Sequence, residues 1–159
     1  MEVRKHPDGS LIQYLHENMV MRFEHTDKGY WQSLLNTDDG ETAAPMAFPS
    51  FQLAIAGIPH GALSSMVSGL TNLPAEMKLE SMKQVDAQRM LFTYFHDKLQ
   101  LSVEVEMHFI PDAAVIRQST TVRNHSNRLI VLTHLSSTSI QGIATDGCRP
   151  WYDKNKIRV

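Results

Sequence analysis

From Leu99 to Phe109 apolar and polar residues alternate without a break. Leu99, Leu101, Val103, Val105, Met107 and Phe109 form one set, and Gln100, Ser102, Glu104, Glu106 and His108 form the other. A period of two puts the sets on opposite faces of a β-strand, whereas a helix would scatter both around its circumference. The pattern predicts a long, half-buried strand in an antiparallel sheet with one wet face, its apolar set pointing into a core. Pro111-Asp112 reads as a turn, Ala114 to Val122 as a second strand, Asn124 to Asn127 as a polar turn and Leu129 to Leu135 as a third strand. Together they predict a three-strand meander.

Upstream, Asp8-Gly9 is a turn signal, and Leu11 to His16 and Met19 to His25 flank Glu17-Asn18 like a short hairpin. Lys28-Gly29 turns the chain into a predicted strand over Tyr30 to Leu35, and the acidic, turn-rich Asn36 to Pro45 reads as a loop. Phe51 to Ile55 alternates and ends at Gly57-Ile58-Pro59-His60-Gly61. Gly61 to Pro74 reads as an exposed, serine-rich excursion. In Ala75 to Val85, Met77 and Leu79 fit a strand while Ala75, Leu79 and Met82 fit a helix, and the neighbouring strands favour a strand. Arg89 to His96 is a further strand, and Asp97-Lys98 leads into the long one. The fold class predicted is all-β, an antiparallel two-layer structure with little helix.

Composition narrows the partners. A chain of 159 residues suits one domain, 1–159, able to bury roughly 70% of its unfolded surface. A formal net charge of −2 gives no electrostatic footprint for nucleic acid, and no basic cluster marks a membrane surface. Arg4-Lys5 and Lys154 to Arg158 read as solvated ends. No apolar run approaches the roughly 20 residues that span a bilayer, and Met1 to Ser10 lacks the apolar segment of a signal peptide. The only cysteine, Cys148, sits in a turn-like Asp146-Gly147-Cys148-Arg149-Pro150 and leaves no internal disulfide, which suits a reducing, cytoplasmic setting.

Candidate chemistry is sparse. The eight histidines (His6, His16, His25, His60, His96, His108, His125 and His134) make no helical zinc motif and have no cysteine pair beside them. Most fall at strand ends or in turns, where structural or solvated roles are expected, and no cofactor or metal is predicted. Glu104 and Glu106 share the polar face of one strand, their Cβ atoms roughly 7 Å apart. Paired carboxylates can cleave glycosides, but polar strand faces carry glutamate routinely, and acidic turns such as Asp38-Asp39 are common. His108 with Ser102 or Ser119 lacks a nucleophile elbow and an oriented third partner. Asn124-His125-Ser126 is formally a glycosylation acceptor, without a secretion signal to give it weight. Exposed aromatics can stack on sugars, so Tyr30-Trp31 and Trp151-Tyr152 are the candidate platforms. Trp31 is expected in a core or interface, and Trp151, beside Pro150, at a surface. Trp151, Tyr152 and Trp31 are therefore the candidate carbohydrate or domain contacts.

The stretch Val115-Ile116-Arg117-Gln118-Ser119-Thr120-Thr121-Val122-Arg123-Asn124 resembles a strand of the N-terminal domain of glycoside hydrolase family 36, the bacterial α-galactosidases. Leu135-Ser136-Ser137 and Ile140-Gln141-Gly142-Ile143 resemble the strand that follows. Gln52 to His60 and Phe92 to Phe109 fit the same order, and Tyr152 to Val159 looks like the segment leading toward the central domain. About two-thirds of the chain is covered, and the order and spacing of the motifs carry the likeness.

The resemblance implies a β-supersandwich, with the reaction in a following (β/α)8 barrel where two aspartates cleave galactosides with retention. Those catalytic motifs are absent here. Asp38-Asp39-Gly40 echoes a barrel motif but is followed by Glu41 in place of the expected aromatic. The family's Asp-Phe-Arg element is replaced near Met46 to Ser50. The expectation is a non-catalytic N-terminal β-sandwich domain, a fragment of a longer enzyme, with no catalytic residue of its own. It would support the catalytic barrel of the same polypeptide and homo-oligomerisation, and line the pocket for the parent's galactoside substrate. A self-standing carbohydrate-binding module is the runner-up expectation, and an unrelated enzyme with a dispersed histidine or carboxylate site is the third. A docking role places covered apolar residues at Met66, Val67 and Leu70 and at Trp151 and Tyr152.

Overall fold

The hairpin read around Glu17-Asn18 is present: β2 (Leu11–His16) and β3 (Met19–Thr26) pair antiparallel, with His16 opposite Met19 across a two-residue connection. Glu17 takes a positive φ of 53°, as turns matched to the twist of a hairpin require. The computed structural model describes residues 1–17, 19–27, 29–36, 49–58 and 73–138, with only the backbone of 30–36. Beyond β2 and β3 these form β1 (Glu2–Lys5), β4 (Gly29–Asn36), β5 (Leu53–Ile55), α1 (Leu73–Glu76), β6 (Lys78–Gln84), β7 (Arg89–His96), β8 (Leu101–Phe109), β9 (Ile116–Asn124) and β10 (Leu132–Leu135). The protein is an all-β, antiparallel sandwich. One sheet has the order β1-β2-β3-β4, the second β6-β7-β8-β9, and β5 with β10 makes a two-stranded ribbon.

Aromatic rings hold the two sheets together. Phe23 stacks on Phe92 with centroids 4.9 Å apart, and Tyr14 meets Phe23, Phe92 and Phe109 at 5.5, 6.5 and 6.1 Å. Each such ring adds roughly 1.5–3 kcal/mol by leaving water. The apolar set of β8 from Leu101 to Phe109 is wholly buried, as its period of two predicts. Tyr94 is equally buried, which pushes its phenol well above the ordinary tyrosine range. Polar atoms bridge the layers too: His16 Nε2 lies 2.6 Å from the Ile110 carbonyl, and the Tyr14 hydroxyl donates to Met82 Sδ at 3.3 Å.

Four expectations need correction. The N-terminal residues are not merely a solvated end, because Glu2–Lys5 forms β1, an edge strand on β2. Its charged side chains hide it from a hydrophobic-pattern reading, and charge is a usual property of edge strands. The long strand starts at Leu101, not Leu99, because Gln100 adopts a φ of 53° that no strand permits. Ala75 to Val85 is split: Leu73–Glu76 makes one helical turn, and β6 follows. A register shift between Leu79 and Ser81 lets Leu79 face Tyr94 and Met82 face Phe92. That bulge puts two core residues three apart and imitates helical spacing.

The predicted meander stops at β9. β10 leaves that sheet and pairs with β5, Leu132 opposite Ile55 and Leu135 opposite Leu53. The reason lies in β9, whose inward positions include Gln118 and Thr120, partners of buried Met107 and Val105. Gln118 Nε2 donates to the carbonyls of Ser50 and Ser137 at 2.8 and 2.6 Å, and the Thr120 hydroxyl donates to Ser137 at 3.0 Å. The ribbon thus lies over the polar part of the inner face and satisfies it. Phe51, just ahead of β5, fills the adjoining core against Tyr94 at 5.3 Å.

Two turns have sharp requirements. Gly29, with φ of +107°, brings β4 onto β6 so closely that a Cβ there would lie 2.5 Å from Leu79 Cβ. In the β1–β2 turn the Asp8 carboxylate accepts from the Ser10 amide at 2.8 Å and lies 2.7 Å from His6 Nδ1. The hydrogen bonds from Ser10, then that from His6, hold the Asp8 carboxyl far below its ordinary value. A depressed carboxyl stabilises the fold above its unfolded pKa, near 3.9, and that contribution disappears as pH falls through the folded value. In an NMR titration the Ser10 amide is expected to follow a midpoint well below ~3.9. A midpoint at or above that value would show that the turn does not hold the carboxylate.

Candidate functional site

Three segments of the chain leave between them a cleft of about 400 Å³. Its walls come from Ile55, Ala56 and Ile58 at the end of β5, from Lys98, Leu99 and Gln100 in the β7–β8 turn, and from Ser126 and Arg128 to Val131 before β10. Aliphatic side chains dominate. The two ionisable lining residues, Lys98 and Arg128, are both cations, and neither side chain makes a hydrogen bond or ion pair among the described residues.

The walls are fixed by their own hydrogen bonds. Asn124 Oδ1 accepts from the Ser126 amide and hydroxyl at 2.9 and 2.7 Å, while Asn124 Nδ2 donates to the Arg128 carbonyl at 2.7 Å. The Arg128 amide donates to Ser126 Oγ at 3.2 Å. Across the cleft, Gln100 Nε2 donates to the Asp97 carbonyl at 2.6 Å, and the His125 amide donates to the Gln100 carbonyl at 2.9 Å. Ala56 N donates to Val131 O at 2.9 Å and ties the third wall to the first. A pocket built from such closed turns exists before any ligand arrives.

Beside the cleft runs an exposed apolar strip. Leu129 is 92% exposed, Val131 52%, Leu132 41% and Leu135 39%. Single exposed leucines are ordinary; here Leu129 and Val131, just ahead of β10, and Leu132 and Leu135, on β10, put four large exposed apolar residues into one short segment.

The wet face of the second sheet carries the polar set of β8. Glu104 and Glu106 do share that face, in register with Thr121 and Ser119 of β9. Arg123 Nη2 donates to Glu104 at 3.1 Å, an exposed ion pair of small energetic weight. His108 lies between Arg89 and Arg117 and in register with neither Ser102 nor Ser119. Ser102 instead meets His125 Nε2 at 2.8 Å, and the His125 ring lies 6.0 Å from that of Phe95. A nucleophile–base pair needs a third group to orient the base, and among the described residues no carboxylate bonds to His125. The contact explains why Ser102, a polar-face residue, is buried: it pins the start of β8 to the end of β9.

His16 and His96 are buried at strand ends, in structural roles. His96 Nδ1 accepts from the Leu99 amide at 3.3 Å, and Nε2 lies 3.4 Å from Glu76. Among the described residues no group of three or more His, Cys, Asp or Glu is placed to hold a metal ion. Nor is any helix there long and apolar enough to cross a membrane.

Of the expected contact residues, Trp31 lies on β4 with its backbone opposite Glu24. Trp151 and Tyr152 lie outside the described residues, as do Met66, Val67, Leu70, Asp38-Asp39, His60 and Cys148. The cleft escaped the reading of the sequence because Lys98 and Arg128 each sit in or beside a polar turn, where a cation is unremarkable. The pairing of β10 with β5, which closes the cleft, leaves no local signal. No protein-family model matches the chain, and it matches neither a curated protein nor a solved structure.

Proposed function

We propose that this chain is a non-catalytic β-sandwich domain of an α-galactosidase-like glycoside hydrolase, supporting the catalytic barrel of the same polypeptide and its oligomerisation. The exposed apolar strip from Leu129 to Leu135 carries the reading. It is a surface of the kind that obligate interfaces cover, since these are more apolar than ordinary protein surface. The sequence likeness to the family's N-terminal domain, together with the all-β antiparallel sandwich, supports the choice of parent. Fold alone would not. The carbohydrate-module reading draws less support, because among the described residues the cleft lining includes no aromatic ring on which a sugar could stack.

Sedimentation of the purified chain, with galactose binding measured in parallel, tests the proposal. The chain is expected to self-associate at micromolar concentration, because its strip is uncovered, and to bind galactose weakly or not at all. Leu132→Lys with Leu135→Lys is expected to give a monomer without loss of fold, as both residues are exposed. A strictly monomeric parent chain that binds galactose well would overturn the docking role in favour of the carbohydrate module.

A further inference from the structure

The geometry points to a second property of the cleft: it is a binding site for a small amphiphilic anion, a carboxylate with an aliphatic tail. The proposal rests on the cleft alone and not on the docking role. Three observations converge. First, the volume, about 400 Å³, falls in the range of small-molecule sites. At roughly 30 Å³ for each water-sized group it has room for about a dozen heavy atoms. Second, the walls are aliphatic, from Ile55, Ile58, Leu99 and Ile130, and among the described residues no ring lines them to stack on a planar or sugar ligand. Third, the charge is one-sided. Among the described residues, Lys98 and Arg128 line the cleft with no acidic side chain in the lining and no hydrogen bond or ion pair from either side chain.

Each feature selects part of the ligand. Aliphatic walls gain about 0.8 kcal/mol for each methylene removed from water, close to fourfold in affinity. The guanidinium of Arg128 can hold a carboxylate in a two-point fork, and the ammonium of Lys98 adds a point charge. A neutral alcohol of equal length would lose those charge-assisted contacts. A short anion such as acetate would lose the tail. A dication or an amine would meet two like charges.

The test is titration of the full 159-residue chain with octanoate, hexanoate, acetate and 1-octanol, read by backbone amide shifts and calorimetry. Octanoate is expected to shift the amides of Lys98 to Gln100 and Ser126 to Val131. Its affinity should exceed that of hexanoate by about fourfold per methylene, and acetate should not bind measurably. The double variant Lys98→Gln with Arg128→Gln changes two exposed side chains that make no hydrogen bond or ion pair among the described residues, so it should keep the parent's thermal stability. It is expected to bind octanoate at least about tenfold more weakly while its affinity for 1-octanol stays unchanged. Equal binding of octanoate and 1-octanol by the parent chain, octanoate binding unaltered in the double variant, shifts confined to other regions, or no octanoate binding would each overturn the assignment. Leu129 and Val131 belong to the strip and to the cleft lining alike, so octanoate is also titrated into the Leu132→Lys, Leu135→Lys variant, whose changes lie outside the lining; there either proposal can fail without the other.

Discussion

Replacing Val103 with aspartate is expected to unfold the protein. Val103, the third residue of β8, is fully buried, directly opposite Tyr94 on β7 and Val122 on β9. Its register partners offer no cation, and the tyrosine hydroxyl alone cannot compensate an ionised carboxylate. The aspartate must either remain charged in an apolar layer or take up a proton at a large cost, on the order of 4 kcal/mol or more. Domains of this size have roughly 5–15 kcal/mol in total, so most of the margin disappears. The companion change Thr121→Lys, exposed on the opposite face and in register with Glu104, should move stability by no more than about 0.5 kcal/mol. Urea denaturation followed by circular dichroism reads both. A Val103→Asp chain as stable as the Thr121→Lys chain would mean that the strand presents its other face to the core.

The second large effect is expected at Gly29. Alanine there has two separate costs. A φ of +107° is outside what an L-residue adopts comfortably, and the new Cβ would sit 2.5 Å from Leu79 Cβ. The obstructing atom is attached directly to the backbone of β6, so no side-chain rotation relieves the clash and β4 must separate from β6. Together the costs are about 2–5 kcal/mol, a fall in Tm on the order of 10 °C for a chain of this length. Gly29→Ala combined with Leu79→Gly removes the clash but leaves the torsional cost, so the pair should be less destabilised than the sum of the single changes. Strict additivity would show that β4 and β6 do not touch at this point.

What was legible in the sequence was what local periodicity records. The alternation of β8 placed five buried residues on one face, and the turn residues at positions 8–9 and 17–18 located the flanking hairpins. Interactions between distant segments were not legible. Nothing in Leu132 to Leu135 announces that its partner is Leu53 to Ile55, and nothing in Gln118 announces that its amide binds the carbonyls of Ser50 and Ser137. Where a bulge altered the period, at Leu79 to Ser81, the pattern suggested helix and strand at once. The cleft illustrates the same limit. Each of its three walls is an ordinary turn or strand end, and only their closure makes an apolar hollow lined by two cations, Lys98 and Arg128.

The attachment of the ribbon has a dynamic consequence. β5 and β10 have three and four residues. Gln118 and Thr120 bond to residues flanking the two strands, and β5 sends Leu53, Ala54 and Ile55 into the core, whereas all four residues of β10 are exposed. Opening β10 therefore uncovers far less apolar surface than opening β5, so its amides should exchange at lower free energy than those of the core strands. Of the cleft walls, the one ahead of β10 is the one that can yield, while the one at Ile55 stays with the sandwich.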